Sequence, residues 1–271
     1  VGELMKIAGC IERKSMLYQT GVEYGDYTMN HVLGCAHGCK YPCYAFLMKK
    51  RFGKVKTYED WCQPYLVSNT LELLDQEIPK LKNKIKSVQL CFTTDPFMYG
   101  YQEIADMSMA AIRRLNLDKI KCCVLTKGIL PIELADLYKK NEYGITLISL
   151  EESYRERIEP GAAPYSERLA ALKALHDAGC KTWVSIEPYP TPNLIEQDLS
   201  KILDAVSFTN RIIFGRTNYS KDISAYKEYK FFYDKCAAQV VGYCKDNNIA
   251  CHIKTGTITE EKISKGSAVN E

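Results

Sequence analysis

Short apolar runs alternate with longer amphipathic stretches through most of this chain. Residues 87–92 (SVQLCF), 120–125, 144–150 (GITLISL), 181–186, 211–214 and 249–253 are apolar and bounded by turn residues, the pattern of buried strands. Between them, 104–115, 131–140, 166–178, 195–206 and 223–247 space their apolar positions as helices do. Pro131 suits a first helical turn, and Gly179 suits a C-terminal cap. Residues 27–33 read as the first strand, and 49–86 as an insertion with a leucine-rich helical pattern over 71–81. Repeated strand–helix units predict an α/β fold with a parallel sheet. The expected architecture is a partial (β/α)6 TIM-type barrel within one domain, residues 1–271. Its core would span about 24–218, followed by a C-terminal helix and strand over 219–256 and a polar tail over 257–271.

In such a barrel, chemistry collects at the C-terminal ends of the strands. Polar residues stand there in succession: Thr93, Thr94 and Asp95; Thr126 and Lys127; Ser149 and Glu151; Ser185 and Glu187; Arg216 and Asn218. Loops are polar in any case, but five such clusters in a row favour a shared cavity.

Hydrophobic residues make up 46% of the 271, enough for a sizeable core and too many for a disordered chain. A net charge of +3 neither excludes nucleic acid nor announces it. No apolar run is long enough to span a bilayer, and the first residues are too polar for a signal peptide. The expected location is cytoplasmic, with no membrane partner. Twelve cysteines are many for a reducing compartment. Cys91, Cys122, Cys123, Cys180 and Cys251 fall in apolar runs and read as small buried hydrophobes.

Three other cysteines change the picture. Gly34-Cys35-Ala36-His37-Gly38-Cys39-Lys40-Tyr41-Pro42-Cys43-Tyr44 places thiols at Cys-x3-Cys-x3-Cys spacing at the end of the first expected strand. Three thiolates so close can hold three irons of a [4Fe–4S] cluster and leave the fourth open. Zinc is a competitor if His37 joins, although the paired knuckles of a structural zinc site are missing. An electron-transfer cluster would need a fourth cysteine, for which Cys62 is the nearby candidate.

The loop resembles that of the radical S-adenosylmethionine (SAM) enzymes. Asp26-Tyr27-Thr28-Met29-Asn30, Thr93-Thr94-Asp95-Pro96-Phe97, Thr126-Lys127-Gly128, Ile148-Ser149-Leu150, Glu159-Pro160-Gly161-Ala162 before Arg168, and Ser185-Ile186-Glu187-Pro188 are similar, in order, to the spore photoproduct lyase-like branch. One departure stands out. That family's spacing is Cys-x3-Cys-x2-Cys, and Pro42 lengthens the second gap here.

The resemblance implies a [4Fe–4S] cluster on Cys35, Cys39 and Cys43, with SAM on the open iron and reductive cleavage to a 5′-deoxyadenosyl radical that abstracts hydrogen from a substrate. An electron donor such as flavodoxin or ferredoxin is implied as partner. For the cofactor, Lys127 suits the SAM carboxylate, with Arg168, expected on a helix surface, as a second cation. Thr94 and Asp95 suit its ammonium, and Ser149, Glu151, Ser185 and Glu187 its ribose. Tyr41 or Tyr44 suits the adenine, in place of Pro42. The lyase-like branch carries a hydrogen-donating cysteine where this chain has Thr93. Cys91, two residues earlier on the same side of the strand, is the substitute candidate, and Tyr99 a stacking or radical-relay candidate. Substrate class stays open among a nucleic acid or nucleotide, a peptide or partner protein, and a small metabolite. A non-catalytic iron–sulfur or zinc protein is a further alternative.

Overall fold

The computed structural model describes residues 5–218 and 220–259; most of the expected polar tail lies outside them. Its internal contacts divide the chain into two units, residues 1–145 with 151–182, and residues 146–150 with 183–271.

The first unit opens with β1 (Gly9–Ile11), β2 (Tyr18–Gln19), β3 (Tyr27–Met29) and β4 (Val32–Leu33). The cysteine loop leads into α1 (Tyr44–Arg51) and α2 (Tyr58–Trp61). Then come β5 (Tyr65–Val67), α3 (Thr70–Leu81), β6 (Ser87–Leu90), α4 (Gln102–Leu117), β7 (Lys121–Thr126), β8 (Glu142–Thr146), α5 (Glu152–Ile158) and α6 (Tyr165–Asp177). Strands β3, β6, β7 and β8 are parallel neighbours in that order, with β2 antiparallel on β3. A small second sheet sets β5 between β1 and β4.

The second unit contains most of β9 (Lys181–Tyr189), then α7 (Leu199–Ala205), β10 (Arg211–Arg216), α8 (Lys221–Ala225), α9 (Tyr229–Asp246) and β11 (Ala250–Ile253). Here β10 lies between β9 and β11, parallel to both. The fold is therefore α/β with mostly parallel strands, of the partial-barrel type; no closed barrel occurs among the described residues. No described helix is long and apolar enough to cross a membrane.

Burial explains the elements that match the sequence pattern. In α4, Ile104, Ser108, Ala111, Ile112 and Leu115 line one buried stripe at helical spacing. In α3, Thr70, Leu73, Leu74 and Ile78 do the same. Helix α6 ends at Gly179, whose φ of +83° is left-handed, with Cys180 N donating to the Leu175 carbonyl at 3.0 Å.

Four expectations are corrected, the first being the burial of Cys251, which is exposed on edge strand β11. The strand expected over 27–33 breaks at Asn30 and His31, and its second half joins the small sheet. Asn30 Oδ1 instead accepts from Thr93 N and Oγ1 at 3.1 and 3.0 Å. The cysteine loop thus follows β4, not the first strand. The helix expected over 131–140 is one 3₁₀ stretch, Ile132–Asp136. Asn116 and the Tyr143 hydroxyl take over the bonds beyond it, accepting from Tyr138 N at 3.3 Å and donating to the Leu134 carbonyl at 3.0 Å. The single helix expected over 223–247 is two, α8 and α9.

The α4 stripe yields a stability test. Ile112→Ala empties a fully buried position and is expected to cost about 2–5 kcal/mol. Leu117→Ala, at a 79% exposed position, is expected to stay within about 0.5 kcal/mol. Thermal unfolding of the two variants side by side checks this; equal losses would contradict the assigned burial.

Candidate functional site

The cysteine loop is fixed by backbone bonds from two directions. Cys35 N donates to the Trp61 carbonyl at 2.8 Å, and the Tyr58 hydroxyl donates to the Cys39 carbonyl at 2.6 Å. A capping box between Thr57 and Asp60 holds α2 in place for this. On the other side, Lys40 N donates to the Ile158 carbonyl at 2.8 Å, and Gly161 N to the His37 carbonyl at 3.0 Å. The approach is so close that a Cβ on Gly161 would overlap the Ala36 carbonyl oxygen. Residues 158–161 therefore clasp the loop, and the glycine makes that clasp possible.

The clasp carries a buried charge network. Glu159 is fully buried; its Oε1 lies 2.9 Å from Lys127 Nζ and its Oε2 2.9 Å from an Arg168 guanidinium nitrogen. The Tyr41 hydroxyl donates to Glu159 Oε1 at 2.9 Å, and its ring lies 4.6 Å below the Lys127 ammonium. Lys127 Nζ also donates to Cys39 Sγ at 3.7 Å. Burial works to raise the Glu159 pKa, but Lys127 and Arg168 together hold it below the usual value. Burial works to lower the Lys127 pKa, but Cys39 and Glu159 hold it above. Both groups are charged at neutral pH.

Asp95 anchors the neighbouring turn. Its carboxylate accepts from Phe97 N at 2.9 Å, Thr126 Oγ1 at 2.6 Å and Lys127 N at 2.7 Å, and lies 3.7 Å from His37 Nδ1. Asp95 thus fixes the backbone from which Lys127 projects.

Burial comes first in raising the pKa of each loop thiol. At Cys39, Lys127 opposes it. At Cys43, the N-cap of α1, the backbone N–H groups of Phe46 and Ala45 oppose it. Cys62 lies beside the same loop and hydrogen-bonds Tyr58.

The donor set fits a four-iron cluster. The three thiols are free of disulfides and feel one another's charge. His37 Nε2, buried within the loop, has no hydrogen-bond partner among the described residues. No group of three or more His, Cys, Asp or Glu among them converges on a single-ion site. A cluster does not require that convergence, because each thiolate takes a different iron.

The remaining sequence candidates divide by place. Thr94 donates to the Val32 carbonyl at 3.4 Å. Tyr44 is half exposed and its hydroxyl donates to the Phe92 carbonyl. Tyr99 is partly exposed. Glu151 is exposed at the N-cap of α5. Cys91 is buried, with a left-handed φ of +53°, and its Sγ lies 3.5 Å from His31 Nδ1. Burial pushes its pKa up to about 12. His31 Nε2 lies 2.7 Å from Ser108 Oγ, and burial depresses the imidazole to about 3. Ser108 Oγ donates to the Pro96 carbonyl, so neutral His31 donates to Ser108 Oγ through Nε2 and accepts from the Cys91 thiol through Nδ1. The second unit holds Ser149, fully buried; Ser185, whose carbonyl accepts from Leu147 N at 3.0 Å; and Glu187, 3.3 Å from Lys254 Nζ. Arg216 Nε there donates to Asn218 Oδ1 at 2.9 Å.

Glu159 was not among the sequence candidates, and Arg168 is fully buried rather than on a helix surface. The signal for both lay in the Glu159-Pro160-Gly161-Ala162 motif and the arginine that follows it.

The Radical SAM superfamily model matches residues 29–206. The chain belongs to the radical SAM superfamily. An uncharacterized protein of Methanocaldococcus jannaschii is 28% identical over 229 residues, covering 83% of this chain and 82% of its own. An uncharacterized protein of Acidianus two-tailed virus is 24% identical over 195 residues, covering 69% and 64%. Among solved structures, a spore photoproduct lyase variant with bound SAM and dinucleoside spore photoproduct superposes with TM-score 0.64 at 16% identity, over 92% of this chain and 81% of that one. SuiB of Streptococcus suis bound to SAM superposes with TM-score 0.55 at 12% identity, over 83% and 46%. At these identities the structural likeness concerns the fold.

The charge network yields a test independent of any cofactor. Glu159→Gln leaves buried Arg168 and part-buried Lys127 with a neutral partner and is expected to cost about 3–5 kcal/mol at neutral pH. The sign with pH follows from the depressed Glu159 pKa. Its contribution is present above the ordinary value of 4.5 and lost as pH falls through the lower folded value. The parent should therefore lose more stability on acidification than the variant. Urea unfolding of both proteins at neutral and acidic pH checks this; parallel pH profiles would contradict it.

Proposed function

We propose that this chain is a radical SAM enzyme whose Cys35, Cys39 and Cys43 hold a [4Fe–4S] cluster, and that it acts on a nucleic acid or nucleotide. The observation that carries the cluster assignment is the thiol loop clasped by residues 158–161, with Lys127 pointed at Cys39 from a buried ion pair. A [4Fe–4S] cluster held by Cys35, Cys39 and Cys43 would supply the electron for reductive cleavage of SAM to a 5′-deoxyadenosyl radical. An electron donor such as flavodoxin or ferredoxin delivers that electron, in the reducing setting of a cytoplasm. We take the two units as parts of one radical SAM domain, since the family model draws on both.

The protein's part is positioning and the exclusion of water. Glu159 and the Tyr41 ring hold the Lys127 ammonium beside the cluster loop, where it is the cation for the SAM carboxylate. Asp95 supports that position through the backbone of Lys127, leaving Thr94 as the polar group for the SAM ammonium. Ser149, Glu151, Ser185 and Glu187 are the proposed ribose contacts. Tyr41 or Tyr44 serves the adenine through its ring, since each hydroxyl already donates elsewhere, to Glu159 and to the Phe92 carbonyl. Cys91 keeps its S–H at neutral pH, the form that can give up a hydrogen atom. Tyr99 is exposed enough to meet a substrate. The nucleic-acid class is supported by the solved lyase, whose ligand is a dinucleoside.

Anaerobic reconstitution tests the cluster. Four irons with acid-labile sulfide, and 5′-deoxyadenosine on adding SAM and dithionite, are expected. One zinc and no deoxyadenosine would sink the reading. Cys43→Ala removes one of three thiolates and should lose iron and SAM cleavage together; a full, SAM-cleaving cluster in that variant would show that Cys43 is not a ligand.

Lys127→Ala should retain its cluster and bind SAM at least about tenfold more weakly, a loss of about 1.4 kcal/mol. Lys181→Ala, at the exposed start of β9, is the control and should match the parent. Anaerobic equilibrium dialysis with labelled SAM checks both. Unchanged affinity in Lys127→Ala would move the carboxylate role to another cation.

A further inference from the structure

The net charge of +3 conceals a segregation. Residues 27–58 contain Lys40, Lys49, Lys50, Arg51, Lys54 and Lys56 and no aspartate or glutamate, so the rest of the chain is net acidic. None of these six cations is in an ion pair among the described residues, and all but Lys49 are exposed. Lys49 is partly buried, with Arg13 and Lys54 adding their repulsion to the burial that lowers its pKa. Like charges held together without counter-charges destabilise a fold by self-repulsion. Such a surface answers a polyanion.

Apolar and aromatic side chains are interleaved with the cations. Phe52 is 68% exposed, between Arg51 and the Gly53-Lys54 turn, and Leu47 is 42% exposed on the outer face of α1. The surface is continuous with the cluster loop. A cavity of about 350 Å³ is lined by Gly34 of that loop and by Lys54, Val55, Lys56 and Tyr65, with Asp60 the one acid on its wall.

We propose that α1 and the turn over residues 52–56 dock a nucleic-acid strand, its phosphates on Lys50, Arg51, Lys54 and Lys56 and an unstacked base on Phe52. The proposal deepens the nucleic-acid reading above by naming the surface, and rests on it for the substrate class. Cations in series with an exposed ring match a strand that offers regular charge and a π-face at each base. An acidic protein offers the charge without the ring partners. A membrane-surface helix would need apolar and basic residues on separate faces. On eight-residue α1, exposed Leu47 shares a stripe with Lys50 and Arg51.

The test is fluorescence anisotropy of the reconstituted protein with a labelled single-stranded DNA oligonucleotide, across a salt series. The parent should bind, with the logarithm of its binding constant falling linearly in log salt. The quadruple variant Lys50→Gln, Arg51→Gln, Lys54→Gln and Lys56→Gln should bind at least about tenfold more weakly, with a salt slope shallower by about 0.7 for each phosphate it no longer neutralises. Phe52→Ala should weaken binding with the slope unchanged. Gln at Lys80, Lys84, Lys86 and Lys140, exposed elsewhere on the first unit, should leave both quantities as in the parent. Equal affinity of the quadruple variant and parent would overturn the proposal. So would a variant that binds DNA normally but is no longer reduced by flavodoxin, or no longer adheres to phosphatidylserine vesicles. Deoxyadenosine release with dithionite is read in parallel. If it persists in a parent that does not bind DNA, the docking proposal fails and the radical reading stands. If DNA binding depends on the four cations while SAM is never cleaved, the surface is confirmed and the radical reading fails.

Discussion

Everything at the thiol loop depends on one buried carboxylate. Glu159 is fully enclosed, and a lone carboxylate there would be neutralised by the cost of losing water. It remains ionised because Lys127 and Arg168 each meet one of its oxygens at 2.9 Å and the Tyr41 hydroxyl adds a third partner. These groups come from the turn after β7, from α6 and from the cysteine loop itself. Satisfying one charge therefore fixes three segments at once. Removing any member leaves another charge or donor unmatched in a dry environment, so the arrangement holds together as a unit.

That constraint orders the rest of the first unit. Lys127 is drawn to Glu159 and so stands 3.7 Å from Cys39 Sγ. Its backbone N–H is bound by Asp95, which also binds Thr126 and Phe97 and lies against His37. The turn after β6, the turn after β7 and the thiol loop thus share one polar network. Apolar packing covers it: Cys91, Val32, Leu66, Met98 and Ile104 form a cluster against which Cys35 and Ala36 rest. A thiol loop placed in this way is held in one arrangement by its polar and apolar neighbours together.

The parts legible in the sequence were those with a local cause. The apolar runs that became β6, β7 and β10, and the stripe of α4, follow from periodicity alone. The three thiols followed from spacing. What escaped the sequence has distant causes. Asn30 ends β3 because its side chain serves Thr93, 63 residues away. The segment after Pro131 tightens to a 3₁₀ turn because Asn116 and Tyr143 claim its polar groups. Glu159 precedes a proline in a loop, which reads locally as a surface carboxylate. Its burial is visible only when residues 41, 127 and 168 are brought to it.

The distribution of acids has a single logic on both sides of the loop. Three thiolates are a concentration of negative charge, and burial already resists their formation. A carboxylate among residues 27–58 would add to that resistance, and the sequence has none there. The acids that do approach, Asp95 and Glu159, have their charge taken up by backbone N–H groups, a hydroxyl or cations. Neutralising the inner face in this way leaves the cations of the outer face uncompensated, since the same stretch of chain forms both. A loop that keeps carboxylates away from its thiols is thereby a loop whose exposed flank is basic, so the two features share one sequence cause.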